Sequence, residues 1–313
     1  MEIQFERRQK EARPVLAICY DFDKTLSPDD MQAQGYIQSV GYKVEAFWEE
    51  SNAVARANDM DSNLAYMYKM VKEAEGNFVF TRRALEEYGA RVKLFDGVDT
   101  WFDRIRAYGE SRGVIVEHYI ISSGQTEIIE GSRIGHEFKA IFAASFYYDE
   151  SGLPVWPCSA VNYTSKTQYL FRINKGILDV TNDRDLNAFT PEYKRRIPFS
   201  NMIYIADGLT DVPCMKMTKQ KGGFAIAVHP PGETELADDL LLQGRADFSV
   251  ETDYRADSDM ERIVTLLMRR IRASHDVTME HALQVQRAHS RRGEFVPLNI
   301  PTRGGIEDEA EVE

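Results

Sequence analysis

Val15-Leu16-Ala17-Ile18-Cys19-Tyr20-Asp21-Phe22-Asp23-Lys24-Thr25-Leu26 is the stretch on which the reading of this chain turns. The apolar run has strand character, and it stops at two carboxylates spaced i, i+2, which an extended backbone can turn towards one pocket. In open parallel sheets the ligand crevice lies just beyond the carboxyl ends of the strands. Two acids there can hold a hard cation through oxygen, and one can attack phosphorus while the other handles the leaving-group proton. Taken alone, the stretch is equally compatible with an Asp-rich turn, so the reading needs agreement from elsewhere.

Three further segments agree. His118-Tyr119-Ile120-Ile121-Ser122-Ser123-Gly124 is a second apolar run, ending in hydroxyls and a glycine. Met202-Ile203-Tyr204-Ile205-Ala206-Asp207-Gly208-Leu209-Thr210-Asp211 is a third, ending in two more carboxylates. Between them Lys166 stands where a polar turn, Thr164-Ser165, enters a helix-like segment. The order Asp-x-Asp-x-Thr, Ser, Lys, Asp-Gly-x-x-Asp resembles the haloacid dehalogenase-like (HAD) hydrolase superfamily. Within it, the phosphoserine-phosphatase-like members are the most similar, over about Val15 to about Val250. The first and last motifs are specific, and the Ser and Lys motifs gain force from order and spacing.

The resemblance implies roles. Asp21 would be a nucleophile that forms an aspartyl-phosphate, and Asp23 the acid that protonates the leaving alcohol and then the base that activates water. Asp23 also separates the chain from haloalkanoate dehalogenases, which lack an acid there. Ser122, with Ser123 in its place if the register shifts by one, would donate to a phosphoryl oxygen beside Gly124 and Thr25. Lys166 would neutralise the charge developing there. Mg²⁺ is the implied cofactor, held by the Asp21 carboxylate, the Asp23 backbone carbonyl and Asp207. Asp211 would act behind them, through a metal-bound water or by orienting Lys166. Lys24 and Ala206 depart from the commoner small residue and glycine of the pattern. Asp30 lies nine residues after Asp21, where phosphoserine phosphatases carry a glutamate that meets the substrate's ammonium group. Ser27-Pro28-Asp29-Asp30 also reads simply as a helix start. Arg82 and Arg83 are the candidates for meeting an anionic substrate group.

Size and charge bound the function. A chain of 313 residues with 43% hydrophobic content can bury a large core and carry an insertion. A net charge of −12 argues against a nucleic-acid role, which needs a basic face. It leaves anionic substrates open, because a bound cation can reverse the local field. Cys19, Cys158 and Cys214 lack metal-ligand spacing, and Cys19 and Cys214 read as buried free thiols. Met1 to Arg13 has no apolar core of a signal peptide, and no stretch approaches 18 consecutive apolar residues. A soluble, cytoplasmic protein that does not enter a membrane is expected, with a homodimer left open.

Strands separated by helices predict an α/β fold, a doubly wound, Rossmann-like parallel sheet. Its core is expected over 14–26 and 95–285. Residues 27–94 show helical spacing, with Leu64, Met67 and Val71 on one face, and resemble the superfamily's C1-type helical cap. Their aromatics and methionines read mainly as the core of a small bundle. Ile134 to Phe142 suggests a helix entering a strand, and Ser145 to Trp156 a hairpin. Asp257 to about His289 reads as a helix with Ile263, Leu266, Leu267 and Ile271 as its stripe. Its arginines read as a solvated face, and 290–313 as a disordered tail. The function expected is a Mg²⁺-dependent phosphatase acting on a small phosphorylated metabolite. A phosphotransferase and a catalytically idle binding scaffold are the alternatives.

Overall fold

The computed structural model describes residues 8, 10–78 and 80–294. Strand β1 (Val15–Tyr20) is buried along its whole length, and its side chains alternate between two cores. Leu16, Ile18 and Tyr20 enter one, Val15, Ala17 and Cys19 the other. A strand covered on both faces must be apolar at every position, which is why β1 reads as an unbroken run.

Six more strands complete the sheet: β2 (Ile115–Gln125), β3 (Ala140–Tyr148), β4 (Pro154–Ser159), β5 (Met202–Ala206), β6 (Phe224–His229) and β7 (Phe248–Glu251). Their order is β4-β3-β2-β1-β5-β6-β7, and every neighbouring pair is parallel except β3–β4. The order runs outward from β1 on one side and from β5 on the other. The reversal therefore falls between these two strands, where a doubly wound sheet opens its crevice.

Among the described residues β1 is followed by α1 (Tyr36–Ser39), α2 (Val44–Ala57), α3 (Ser62–Ala74) and α4 (Arg82–Gly89). The chain then returns through α5 (Val98–Ser111), and α6 (Thr126–Gly131) follows β2. The remaining helices are α7 (Lys166–Lys175), α8 (Asp183–Asn187), α9 (Val212–Gln220), α10 (Glu235–Leu242) and α11 (Asp259–Arg291). Helices α5 and α11 cover one face of the sheet with Trp101, Phe102, Ile263, Leu267 and Ile271. Helices α7, α9 and α10 cover the other with Tyr169, Leu170, Met215 and Leu240.

The helices after β1 do not keep a core to themselves. Tyr36, Phe47, Met67, Met70 and Phe80 belong to the same apolar cluster as Leu16, Trp101 and Ile263. Tyr36 sits at its centre, in ring contact with Phe47, Phe78, Phe80 and Tyr88 at centroid distances of 5.7–6.2 Å. On one side the insertion meets the sheet domain backbone to backbone. A Cβ on Gly89 of α4 would lie 2.1 Å from the Ile128 carbonyl oxygen of α6, and one on Gly131 would lie 2.1 Å from that of Glu86. Only glycine permits that approach.

Several expectations need correction. Leu64 and Leu266 are exposed; the buried stripe of α3 is Tyr66, Met67, Met70 and Ala74, and that of α11 is Met260, Ile263, Val264, Leu267, Met268 and Ile271. The stretch from Ile134 forms only a short 3-10 turn, Gly135–Glu137, and β3 begins at Ala140. The Lys139 N–H donates to the His118 carbonyl at 2.8 Å, so the edge of β2 captures this backbone before a helix can form. Helix α11 continues to Arg291, beyond the expected start of the tail, whose residues 295–313 lie outside those described. No described helix is long and apolar enough to cross a membrane.

His118, at the centre of β2, is a buried imidazole whose neighbours fix its state. The Trp101 Nε1–H donates to the Tyr20 hydroxyl at 2.8 Å, leaving that hydroxyl's proton for His118 Nδ1 at 3.0 Å. Burial, helped by the Arg106 charge, lowers the His118 pKa from 6.5 to about 3. The unfolded chain therefore takes up this proton near pH 6.5 while the folded chain refuses it until about pH 3. The stability that neutral His118 contributes is complete above pH 6.5 and is lost as the pH falls through this window. Urea melts between pH 7 and pH 5 should lose stability more steeply for wild type than for His118→Gln. The difference should approach about 1.4 kcal/mol per pH unit at the acid end. Equal slopes would show that His118 protonates inside the fold.

Candidate active site

The ends of β1 and β5 and the start of α7 bring three charged residues, Asp21, Asp211 and Lys166, into one buried group. Asp21 follows β1 directly, and its N–H still donates to the Ile205 carbonyl of β5 at 3.0 Å. Its side chain follows Ala17 and Cys19 to the face covered by α7 and α9. There Lys166, the first residue of α7, is fully buried, with Nζ 3.2 Å from Asp21 Oδ1 and 2.6 Å from Asp211 Oδ1. The Tyr204 hydroxyl donates to the same Asp211 oxygen at 2.6 Å, and the Thr210 hydroxyl to the other at 3.1 Å. The turn that delivers Lys166 is built by Asn162, whose Oδ1 accepts from the N–H groups of Thr164 and Ser165 at 3.1 and 2.9 Å. The Asn162 amide donates in turn to Asp61 at 2.9 Å, the carboxylate that caps α3.

Asp23 is held differently. Its Oδ1 accepts the Met31 N–H at 2.8 Å. Gly124, at the end of β2, lies against it: an added Cβ would stand 3.2 Å from Asp23 Oδ2 and 2.1 Å from Met31 Cε. Ser122, one strand over from Asp21, is buried and accepts the Gly124 N–H at 3.1 Å, which leaves its own O–H as a donor. The Ser123 carbonyl accepts from the Tyr66 hydroxyl of α3 at 2.7 Å. The Thr25 hydroxyl is buried without a protein hydrogen-bond partner among the described residues. Asp30 forms an ion pair with Lys24 at 3.2 Å and makes no side-chain cap to the turn that follows it. Arg82 and Arg83 are tied up along α4, Arg82 with Glu86 and Glu130, Arg83 with Glu87. His229 bonds the Pro230 carbonyl. Tyr204, Asn162, Met31 and Tyr66 were not singled out from the sequence. The signal for Tyr204 was a hydroxyl within an otherwise apolar strand, which a buried tyrosine must pair.

The carboxylates crowd one another. Burial pushes Asp21 up to about 6, against the pull of Lys166, and Asp207 up to about 7, with Asp21 as its nearest aggravating charge. Asp23 stands well above the usual carboxylate range, through burial first and then Asp30 and Asp21. Carboxylate oxygens of Asp21, Asp207 and Asp211 come within 4.8 Å of one another. Hard oxygen donors at that spacing fit Mg²⁺. Asp211 already accepts from Lys166, Tyr204 and Thr210, whereas Asp21 Oδ1 has only its ion pair with Lys166. The donor set therefore favours Asp21 and Asp207 as direct ligands, with Asp211 holding the lysine.

No protein-family model matches this chain. An uncharacterized protein of Borreliella burgdorferi is 29% identical over 235 residues, covering 66% of this chain and 79% of that one. A HAD-family hydrolase of Salmonella enterica serovar Typhi superposes with a TM-score of 0.51 at 16% identity, over 82% of this chain and 73% of that one. A probable phosphoserine phosphatase of Vibrio cholerae does so with a TM-score of 0.51 at 12% identity, over 83% and 66%. The likeness is one of fold: this chain has the α/β architecture of the HAD-like hydrolases.

The division of labour among the carboxylates can be measured without any activity. Saturating Mg²⁺ should raise the melting temperature of the wild type, by about 2.7 kcal/mol of stability at a hundred times Kd. Asp207→Asn should remove most of that gain. Asp211→Asn should melt lower even without the cation, because Lys166 and Tyr204 lose their shared acceptor. A normal Mg²⁺ response in Asp207→Asn would remove it from the ligand set.

Proposed function

We propose that this protein is a Mg²⁺-dependent phosphatase that hydrolyses a small phosphomonoester through a phosphorylated Asp21. The observation that carries the reading is the buried ion pair of Asp21 with Lys166 at 3.2 Å, on the same loop as an acid, Asp23, held by the Met31 N–H. An Asp21 oxygen attacks phosphorus as the bond to the leaving oxygen breaks, and the Asp23 carboxyl gives that oxygen its proton. Asp23, now a carboxylate, takes a proton from water; the water oxygen attacks phosphorus, and the Asp21–phosphorus bond breaks. The raised pKa of Asp23 suits it to begin as the acid. Lys166 and the hydroxyls of Ser122 and Thr25 are the donors to the phosphoryl oxygens. Mg²⁺, held by Asp21, Asp207 and the Asp23 carbonyl, would supply a Lewis acid for the phosphoryl group. Residues 27–94 would serve as the cap over this chemistry, which the shared apolar cluster and the bonds of Met31 and Tyr66 support. Free buried thiols at Cys19 and Cys214 suit a reducing cytoplasm.

With Mg²⁺ and p-nitrophenyl phosphate, Asp21→Asn should leave no more than a few per cent of wild-type turnover, since it removes the nucleophilic charge. Release of inorganic phosphate, rather than transfer to an added alcohol, marks a phosphatase. Asp23→Asn should cost about 10²- to 10⁴-fold with alkyl phosphates. The penalty should shrink with p-nitrophenolate, which leaves without a proton. Equal penalties for both leaving groups would take the acid role from Asp23.

A further inference from the structure

Resting on the phosphatase reading above, we infer that Lys24 forms a subsite for a second anionic group on the substrate, and that Asp30 holds Lys24 ready for it. Three observations lead there. First, Lys24 has a backbone φ of 57°, in the left-handed region. The two other described non-glycine residues with positive φ, Asp59 and Asp257, are of a type that tolerates it. A lysine there costs free energy that glycine would not, and the loop around it is closed by the N–H groups of Thr25, Leu26 and Ser27, all directed at the Phe22 carbonyl. Second, that conformation carries the ammonium to Asp30, 3.2 Å away, with half of the Lys24 side-chain surface still exposed. Lys24 directly follows Asp23 in the chain, so it stands at the rim of the catalytic group. Third, the inner face of the site already has its cation in Lys166, which is wholly buried against Asp21 and Asp211. Lys24 is therefore not needed to balance the nucleophile.

An ammonium has three N–H donors, and a single carboxylate oxygen takes one. The partner of Asp30 is thus already present in the chain, where the sequence alone suggested a substrate ammonium group. Asp29 does not compete, since its Oδ1 accepts the Asp30 N–H at 2.8 Å. Nor do Arg82 and Arg83, which are paired with Glu86 and Glu87 of α4 and with Glu130 of α6. What the rim offers an incoming molecule is a cation with donors to spare. The ligand chemistry that fits is a phosphomonoester bearing a second anion, a carboxylate or a second phosphate, a short chain away from the reacting phosphorus.

The test compares kcat/KM, with Mg²⁺, for phosphoglycolate, ethanediol bisphosphate, ethyl phosphate and phosphoethanolamine. These short-chain esters end in a carboxylate, a phosphate, a methyl group and an ammonium. Wild type should favour an anionic probe over ethyl phosphate by at least about tenfold, and the better of the two anions identifies the group. Lys24→Gly should erase that preference, mainly through KM, while its melting temperature stays level or rises because the left-handed strain is gone. Asp30→Asn keeps an oxygen that can hold the Lys24 ammonium and removes a negative charge beside the incoming anion, so it should strengthen the preference. A preference for phosphoethanolamine that Asp30→Asn removes would overturn the inference, as would equal kcat/KM for all four probes. Absence of turnover for these four and for p-nitrophenyl phosphate would instead sink the phosphatase reading itself.

Discussion

A lysine ammonium buried between two carboxylates organises this molecule's chemistry. Removing a charge from water is costly, and attraction offsets that cost only when the partners are close and correctly aimed. Lys166 meets both conditions, 2.6 Å from Asp211 and 3.2 Å from Asp21. Meeting them fixes much else. β1 and β5 must be adjacent, so that Asp21 and the Asp207–Asp211 loop face each other. α7 must begin where Asn162 ends its turn, and Tyr204 must use its hydroxyl on Asp211 rather than leave it unpaired. Three carboxylates still face one ammonium, and burial, with the charge of neighbouring carboxylates added, raises the pKa values of Asp21 and Asp207. A divalent cation would complement such a group.

The helical insertion is coupled to this group through the backbone as well as through apolar contact. The Met31 N–H fixes the Asp23 carboxylate, the Tyr66 hydroxyl fixes the Ser123 carbonyl, and Asp61 links the cap of α3 to Asn162. Each connection runs from residues 27–94 to a different strand end. On another side Gly89 and Gly131 let α4 and α6 touch directly. Motion of the insertion would therefore disturb the acid, the strand-end serine and the lysine turn together. That coupling would suit the proposed two-step chemistry, which needs water kept out in one step and admitted in the next.

What could be read from the sequence follows from the same physics. The sheet was legible because strands buried on both faces are apolar at every position and end abruptly in polar residues, as β1 and β5 do. The carboxylates were legible because they stand at those ends. Tyr204, Asn162 and Met31 were not, since each acts through a partner that only the fold brings near. Lys24 and Asp30 were visible separately, but their pairing depends on one left-handed residue that no spacing rule announces. The helix expected from Ile134 failed because local periodicity lost to a backbone bond with β2.

Under the proposed function, a chain of net charge −12 would have to draw in a phosphate dianion, which is a problem of range. At physiological ionic strength charges are screened over about 8 Å, so the distant acids matter little and those at the rim matter most. Asp29 and Asp30 stand at that rim and would repel the substrate on approach. Lys24 answers Asp30 at 3.2 Å, which turns a repulsive mouth into a paired one. Deeper in, Lys166 and a bound cation would invert the field around Asp21 and Asp207. Attraction would thus grow stepwise towards the nucleophile, and the acidic exterior leaves the site's selectivity to the few cations within reach of the substrate.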